Sequence, residues 1–116
     1  MIEQPIAQGS LLEPRLIAQE LMTTVDDLAR STGLGRDALA RPERAAAAKV
    51  QTRLRELVEI LNRVEPRFGS ALMAYAWYRS QPLPGFGGMT AMTLVTDGRA
   101  AEVLEYIEAV DSGVYS

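Results

Sequence analysis

The acidic side chains near the C-terminal end of the sequence come closest to a catalytic pair. Glu102 and Glu105 stand at positions i and i+3, and Tyr106 follows them. Two carboxylates can share acid–base work or hold a divalent ion, but they need a nucleophile, an orienting base or a third ligand beside them. The chain contains no histidine and no cysteine, which removes the commonest general base, the thiol nucleophile and the usual zinc ligands. We therefore expect a solvated helix face there, and neither an enzyme, a metal site nor a cofactor.

The size and charge of the chain narrow the function classes further. With 116 residues and a net charge of −3, it is about one domain. Its first thirteen residues contain acids and no basic residue, so we expect a flexible tail over 1–13 rather than a signal peptide, and a cytoplasmic protein. Residues 14–67 carry ten Lys/Arg against eight Asp/Glu, whereas residues 68–116 carry two against five. The two halves are therefore predicted to face different partners.

Apolar residues recur at spacings of three and four, and no stretch alternates convincingly, so the sequence predicts an all-α fold. Thr24 and Thr90 are placed to cap helices, Asp27 has the capping-box position after Thr24, and Gly33 is placed to end a helix. Pro66 is expected to end the longest helix. The predicted helices cover residues 14–22, 24–32, 36–41, 43–64, 68–79, 91–95 and 100–110.

The stretch "TVDDLARSTGLGRDALAR" has the spacing of a helix-turn-helix. Ala29 is small where two helices would cross, and Gly33 follows four residues later at the tight turn. One interpretation places Arg36, Arg41 and Arg44 at a DNA groove, on phosphates or guanine edges. The other is a compact three-helix module, which the short second helix and the negative net charge favour. This half of the chain is also predicted to mediate homodimer formation.

The stretch "FGSALMAYAWYR" is apolar nearly all round, which a helix tolerates only when both faces are covered. Its spacing favours core positions for Phe68 and Tyr75. Trp77 and Tyr78 are candidates for contact with a partner instead, because such a helix must present some of its surface to a neighbour.

The loop "PLPGFGGMT", residues 82–90, contains two prolines and three glycines around Phe86. Proline presets an extended backbone and glycine permits turns denied to other residues, so the loop is predicted to hold Phe86 rigidly. Phe86 then either docks into a partner as an apolar anchor or tucks back under the last helix. The glycines do not form a phosphate loop, since a helix rather than a strand precedes them and the lysine is missing.

These features together resemble the toxin-binding domain of the MbcA/ParS/Xre antitoxins. The resemblance covers about residues 50–116 and rests on five features: "FGS" before the aromatic helix, the proline-glycine loop before "MT", the helix "AMTLV", the helix "DGRAAEVLEYI" and the closing "GVYS". The stretch "VDDLARSTGLGRDAL" looks like the Xre-type helix-turn-helix half of the same family. The resemblance implies a helix-turn-helix region over 14–66, joined by a long helix to a small helical toxin-binding domain over 67–116.

The resemblance also implies a function. Such a chain is the antitoxin of a type II system, and it neutralises a RES-domain toxin that consumes NAD by occluding the active site, with possible binding to its own operator. The residues implied at the toxin are Trp77, Tyr78 and Phe86, together with the closing Val114, Tyr115 and Ser116. Those last three residues are either a frayed end or an inhibitory segment, which offers apolar contact and a carboxylate to a basic cleft. The alternative function is a helix-turn-helix transcription regulator without a toxin partner.

Overall fold

The computed structural model describes residues 11–113, and over these residues the chain is all-α, as predicted. No strand occurs in this range, where the only strand-like pairing is a single antiparallel bridge between Pro82 and Thr90. Eight helices follow one another in the described range: α1 (Pro14–Glu20), α2 (Val25–Thr32), α3 (Arg36–Ala40), α4 (Pro42–Ala45), α5 (Ala48–Phe68), α6 (Ala71–Ser80), α7 (Ala91–Thr96) and α8 (Ala100–Asp111).

Helix α5 is the central element, because it contacts α2, α4, α6, α7 and α8. Seven of its apolar residues, between Val50 and Val64, fall at helical spacing and are buried. Burying a Leu or Val side chain contributes about 1.5–3 kcal/mol, so this stripe is a large part of the folding free energy. The stripe is continuous with buried residues of α1, α2, α6, α7 and α8, which form one core. The stripe consists of Val50, Leu54, Leu57, Val58, Ile60, Leu61 and Val64.

The ends of α5 differ from the prediction. The helix begins at Ala48 rather than near residue 43, because the buried Gln51 amide donates 2.7 Å to the carbonyl of Ala45 and 2.9 Å to that of Leu12. Leu12 in turn donates its N–H to Gln51 Oε1, and its side chain is buried although it belongs to the segment expected to be flexible. Pro66 does not end the helix, which continues through it to Phe68. The helix ends at Gly69 instead.

Helices α2 and α3 form the turn that the sequence predicted. Thr24 is the N-cap of α2 and accepts from the Asp27 N–H at 3.0 Å, and Gly33 ends the helix in the left-handed region with φ 72°. A Cβ at Gly33 would lie 2.9 Å from Thr96 Cβ and 3.1 Å from Thr96 Cα. Glycine is therefore required at position 33 for two reasons. Its positive φ forms the turn, and its lack of a Cβ permits the close approach of α2 to α7.

A partly buried polar cluster joins α2 to α6, and we call it the Asp27 cluster. The Asp27 carboxylate accepts from the Thr23 hydroxyl (2.7 Å), the Tyr75 hydroxyl (2.9 Å) and the Arg79 guanidinium (3.2 Å). The Tyr75 hydroxyl also lies 2.8 Å from Ser31 Oγ, and the Arg79 guanidinium lies over the Tyr75 ring. Asp27 thus does not complete the predicted capping box with its side chain, because three donors outside the cap occupy it.

The cluster fixes the charge state of its members. Burial alone would raise the pKa of Asp27, but the bonds from Thr23 and Tyr75 and the charge of Arg79 lower it below its ordinary value. Burial, together with the bond to the Asp27 carboxylate, raises the pKa of Tyr75 to about 12. Asp27 is therefore ionised and Tyr75 protonated at neutral pH, so the phenol donates to the carboxylate.

We predict that Asp27→Asn destabilises the protein by about 2 kcal/mol at pH 7, because an amide offers fewer acceptor sites to three donors. A carboxyl with a lowered folded pKa contributes its stability above the unfolded pKa and loses it as the pH falls through the folded pKa. The deficit of the variant should therefore shrink when the pH is lowered from about 4 towards 2. Urea unfolding at several pH values measures both effects. Asp37→Asn is the control, since its 3.8 Å pair with Arg44 is exposed and worth less than about 0.5 kcal/mol; equal losses in the two variants would contradict the role of Asp27.

We predict that Gly33→Ala is much more destabilising than Gly69→Ala. Both glycines have positive φ, but a Cβ at Gly69 meets nothing within 4 Å whereas one at Gly33 collides with Thr96. The backbone strain alone costs about 1–2 kcal/mol, and the collision should add about 1–3 kcal/mol. Thermal unfolding of the two variants measures the difference, and similar losses would show that α2 and α7 are not tightly apposed.

Candidate functional site

Helix α6 is formed with two different faces. Ser70 caps its N-terminus by accepting from the Met73 N–H at 3.1 Å. Ala74, Tyr75 and Tyr78 face inward and are buried, and the rings of the two tyrosines stack with centroids 6.1 Å apart. The outward face is therefore left with the remaining apolar side chains of the helix.

Those side chains form a patch with the end of α5. Phe68 is 36% exposed, Leu72 45% and Met73 53%, and half-buried Trp77 has its ring centroid 6.3 Å from that of Phe68. We call these four residues the α5–α6 patch. Among residues 11–113, three of the five exposed large apolar side chains lie in it, and the other two are Leu11 and Met22 in the N-terminal part. Clustered exposed apolar residues mark interaction surfaces far better than scattered ones.

The structure separates the two candidate contact residues of this helix. Trp77 lies in the patch and keeps part of its ring accessible. Tyr78 is fully buried, and its hydroxyl donates to the Ser31 carbonyl at 2.6 Å, while burial raises its pKa further above the ordinary value. Tyr78 therefore offers no surface to a partner in this structure. Its hydroxyl instead joins α6 to α2 in the core. Phe68, which was expected in the core, lies at the surface instead, because it ends α5 where the chain turns at Gly69.

The loop between α6 and α7 is closed by two consecutive turns. The Phe86 N–H donates to the Leu83 carbonyl at 3.2 Å, with Pro84 and Gly85 at the centre of the first turn. The Leu83 N–H donates to the Met89 carbonyl at 2.9 Å, which closes the whole loop, and the Leu83 side chain is buried. The loop is thus anchored at its base by both backbone and side chain.

The second turn holds the other side of Phe86. The Met89 N–H donates to the Phe86 carbonyl at 3.1 Å, and the central Gly87 and Gly88 have φ of 63° and 88°, the pattern of a type I′ turn that glycine adopts without strain. The Phe86 ring packs edge-on against Tyr106 of α8, with centroids 6.1 Å apart and planes at 87°. Of the two alternatives for Phe86, the free chain adopts the one in which the ring lies against the last helix, half-buried.

The C-terminal end of α8 lies beside the α5–α6 patch. The Arg67 guanidinium, one residue before Phe68, contacts the Asp111 carboxylate at 2.6 Å. The described chain ends two residues later at Gly113, so Val114, Tyr115 and Ser116 lie outside the described residues. The ion pair joins the last turn of α8 to the residue that precedes Phe68.

The carboxylates of α8 have other roles than an acid–base pair. Arg99 donates to both carboxylate oxygens of Glu102 at 2.8 and 2.9 Å, and these hydrogen bonds lower the pKa of Glu102. Glu102 is therefore held ionised at the start of α8, where a negative charge complements the helix dipole. Glu105 and Glu108 are exposed, as expected of a solvated face.

The three arginines proposed for DNA contact are exposed, but two of them lie near acidic residues. The Arg36 guanidinium contacts Asp26 at 2.9 Å, and that of Arg44 lies 3.8 Å from Asp37. Arg41 lies between α3 and α4, and α3 itself has only five residues. A carboxylate beside an arginine competes with phosphate, so this surface is less basic than its arginine content suggests.

Sequence reasoning missed Leu72 and Met73, which are the most exposed members of the patch. The signal was present: Tyr75 and Tyr78 lie three residues apart on one face, so positions 72, 73 and 76 fall on the other. It was not decisive, because nearly every residue of α6 is apolar and the pattern alone does not say which face is buried.

Comparison with known families bears on the part of the chain that contains this patch. Residues 63–113 match the family model described as the antitoxin Xre/MbcA/ParS C-terminal toxin-binding domain. No curated protein and no solved structure matches the chain significantly. The match includes all four patch residues, the loop with Phe86 and the whole of α8. The resemblance found in the sequence is thereby confirmed for its C-terminal part: residues 63–113 are similar to the C-terminal toxin-binding domain of the Xre/MbcA/ParS antitoxins.

Proposed function

We propose that this chain is the antitoxin of a type II system and neutralises a RES-domain toxin, which consumes NAD, by binding it and occluding its active site. The observation that carries the proposal is the match of residues 63–113 to a toxin-binding domain that contains an exposed apolar patch. Occlusion requires no catalytic group from the antitoxin. The arrangement of Glu102 in an ion pair with Arg99 is consistent with an action by binding alone.

In this proposal the closing residues Val114, Tyr115 and Ser116 enter the active-site cleft of the toxin. Three residues reach at most about 10 Å from their point of attachment. The Arg67–Asp111 pair joins the last turn of α8 to the residue before Phe68, which supports a cleft that opens close to the α5–α6 patch. Trp77 and the rim of Phe86 supply further apolar contacts, and the hydrogen-bonded loop around Phe86 loses little conformational entropy on binding.

The N-terminal half has a separate role in the proposal. Its helices α1 to α4 mediate homodimer formation, and α2 and α3 with Arg36, Arg41 and Arg44 bind the operator of the antitoxin's own operon. The turn at Gly33 and the exposure of the three arginines support the DNA-binding part of this assignment. The same observations support the alternative function, a DNA-binding regulator without a toxin partner.

Co-expression with the RES-domain protein encoded beside this chain should protect cellular NAD, and the two proteins should co-purify. Deleting residues 114–116 should abolish most of the protection, because the cleft is then open to NAD. The measurements are affinity co-purification and cellular NAD content. Failure to co-purify, with NAD falling equally in the presence and absence of the full chain, would leave the regulator as the better function.

The DNA-binding role predicts specific, salt-sensitive binding to the DNA upstream of the operon. Arg41→Ala should weaken binding and reduce the slope of log K against log salt by about one, if Arg41 contacts a phosphate. Fluorescence anisotropy over a salt series measures both quantities. Arg63→Ala is a control, because this exposed arginine lies on α5 in an ion pair with Glu59; the same loss in both variants would refute a specific role for Arg41.

A further inference from the structure

We infer that Asp26 and Arg36 act together in DNA recognition: Arg36 reads a guanine, and Asp26 is the positioning residue that orients its guanidinium and opposes its contact with phosphates. This inference rests on the DNA-binding part of the proposed function and deepens it, because it names the residues that distinguish one DNA sequence from another. The observation that carries it is the ion pair between Arg36 Nε and Asp26 Oδ1 at 2.9 Å.

The place of Arg36 in the fold is that of a base-contacting residue. Arg36 is the first residue of α3, the second helix of the helix-turn-helix, and Gly35 precedes it as the N-cap. In helix-turn-helix proteins the N-terminal residues of the second helix contact base edges in the major groove. The Arg36 side chain is 76% exposed, and the exposed Ala40, one turn later, is too small to keep the helix away from a base pair.

The geometry of the ion pair leaves the guanidinium able to read a base. The contact at 2.9 Å is made by Nε, and no hydrogen bond with residues 11–113 engages the two terminal nitrogens of Arg36. Bidentate recognition of guanine uses two donors of one guanidinium, toward O6 and N7. An arginine that is held at Nε therefore keeps the two terminal donors that guanine requires.

The other two arginines of this surface are not oriented in the same way. Arg44 approaches Asp37 with a terminal nitrogen, Nη1, and the distance of 3.8 Å is too long for a hydrogen bond. Arg41 follows the last residue of α3 and has no ion pair with any residue of the described range. Both side chains therefore suit phosphates, whose neutralisation requires a positive charge and no fixed orientation.

The backbone that carries Asp26 is itself held in place, which an orienting residue requires. Asp26 is the second residue of α2, and the N-cap Thr24 accepts from the next N–H, that of Asp27, at 3.0 Å. The Asp27 carboxylate is in turn bound by Tyr75 and Arg79 of α6. The cap and the Asp27 cluster together fix the start of α2, where the Asp26 charge also complements the helix dipole.

The charge of Asp26 acts against contacts that carry no sequence information. A phosphate that approaches Arg36 must displace the Asp26 carboxylate and is repelled by it, so sequence-independent binding is weakened. A guanine edge has no net charge and offers two acceptors to the terminal nitrogens while the ion pair remains. Asp26 thus penalises phosphate contact by Arg36 and leaves guanine contact intact.

The test compares the affinity of the full chain for two fluorescein-labelled duplexes, by fluorescence anisotropy over a salt series. One duplex has the DNA upstream of the operon, and the other has the same bases in shuffled order. Glu59→Gln is the matched control for Asp26→Asn, because both carboxylates are 50% exposed and pair with an arginine, Glu59 with Arg63 at 3.2 Å on α5. Circular dichroism and thermal unfolding verify that all variants are folded.

We expect Asp26→Asn to bind the shuffled duplex about two- to fivefold more tightly and the operon duplex more weakly. The ratio of the two dissociation constants should then fall at least about fivefold, as for loss of a bidentate base contact. Arg36→Lys should lose the discrimination to the same extent, since an ammonium keeps the charge but lacks the planar fork. Combining the two substitutions should lower the ratio no further, because Asp26 acts through Arg36. Glu59→Gln should leave the ratio unchanged.

Three results would overturn the inference while the DNA-binding role stands. They are an unchanged ratio in Arg36→Lys, an equal gain of affinity for both duplexes in Asp26→Asn, and full additivity of the two substitutions. An equal gain would reduce Asp26 to a general repulsive charge, and additivity would show that it does not act through Arg36. A wild-type chain that binds neither duplex would overturn the inference together with the DNA-binding role.

Discussion

The hydrogen bonds that the Asp27 carboxylate accepts are the interaction on which the arrangement of α2 and α6 depends. The carboxylate lies on α2, yet two of its three side-chain donors, Tyr75 and Arg79, come from α6. Withdrawing a carboxylate from water costs free energy unless its oxygens accept hydrogen bonds, so this partly buried group favours the position of α6 that delivers both donors. Arg53 of α5 adds a bond of 2.8 Å to the Thr32 carbonyl, and Gly33 admits α7 to the end of α2. The part of the chain that matches the toxin-binding domain is therefore packed against α2.

This constraint also decides which face of α6 is exposed. A helix of nearly uniform hydrophobicity has no preferred orientation from burial alone. Two hydroxyl groups select the buried face. The Tyr75 ring is buried where its hydroxyl can donate to Asp27, and the Tyr78 ring is buried where its hydroxyl can donate to the Ser31 carbonyl. Leu72 and Met73 are then directed outward by helical geometry. Polar contacts on the inner face thus determine the apolar surface offered to a partner.

The same reasoning explains which features the sequence could predict. Local features were readable: Thr24 and Thr90 cap their helices by accepting from the third amide, and Gly33 ends α2 with positive φ. The side of α6 that would be buried was not readable, since it depends on a carboxylate 48 residues away in sequence. The break between α4 and α5 could not be predicted either, because it depends on the side-chain amide of Gln51, which donates to the Ala45 carbonyl. Pro66 misled the prediction of the end of α5, because the helix continues through it to Phe68.

The proposed mechanism places a geometric demand on the toxin. Residues 114–116 span at most about 10 Å of extended chain, and the Arg67–Asp111 pair joins the last turn of α8 to the residue before Phe68. A single exposed ion pair contributes less than about 1 kcal/mol, so it cannot by itself hold the closing residues rigidly. Packing of Val103 and Ile107 into the core orients α8 as a whole, and the ion pair only selects the direction of its last turn. The direction of the exit from α8 is therefore a property of the core, and a toxin cleft that suits this antitoxin must open within one short segment's reach of an apolar groove.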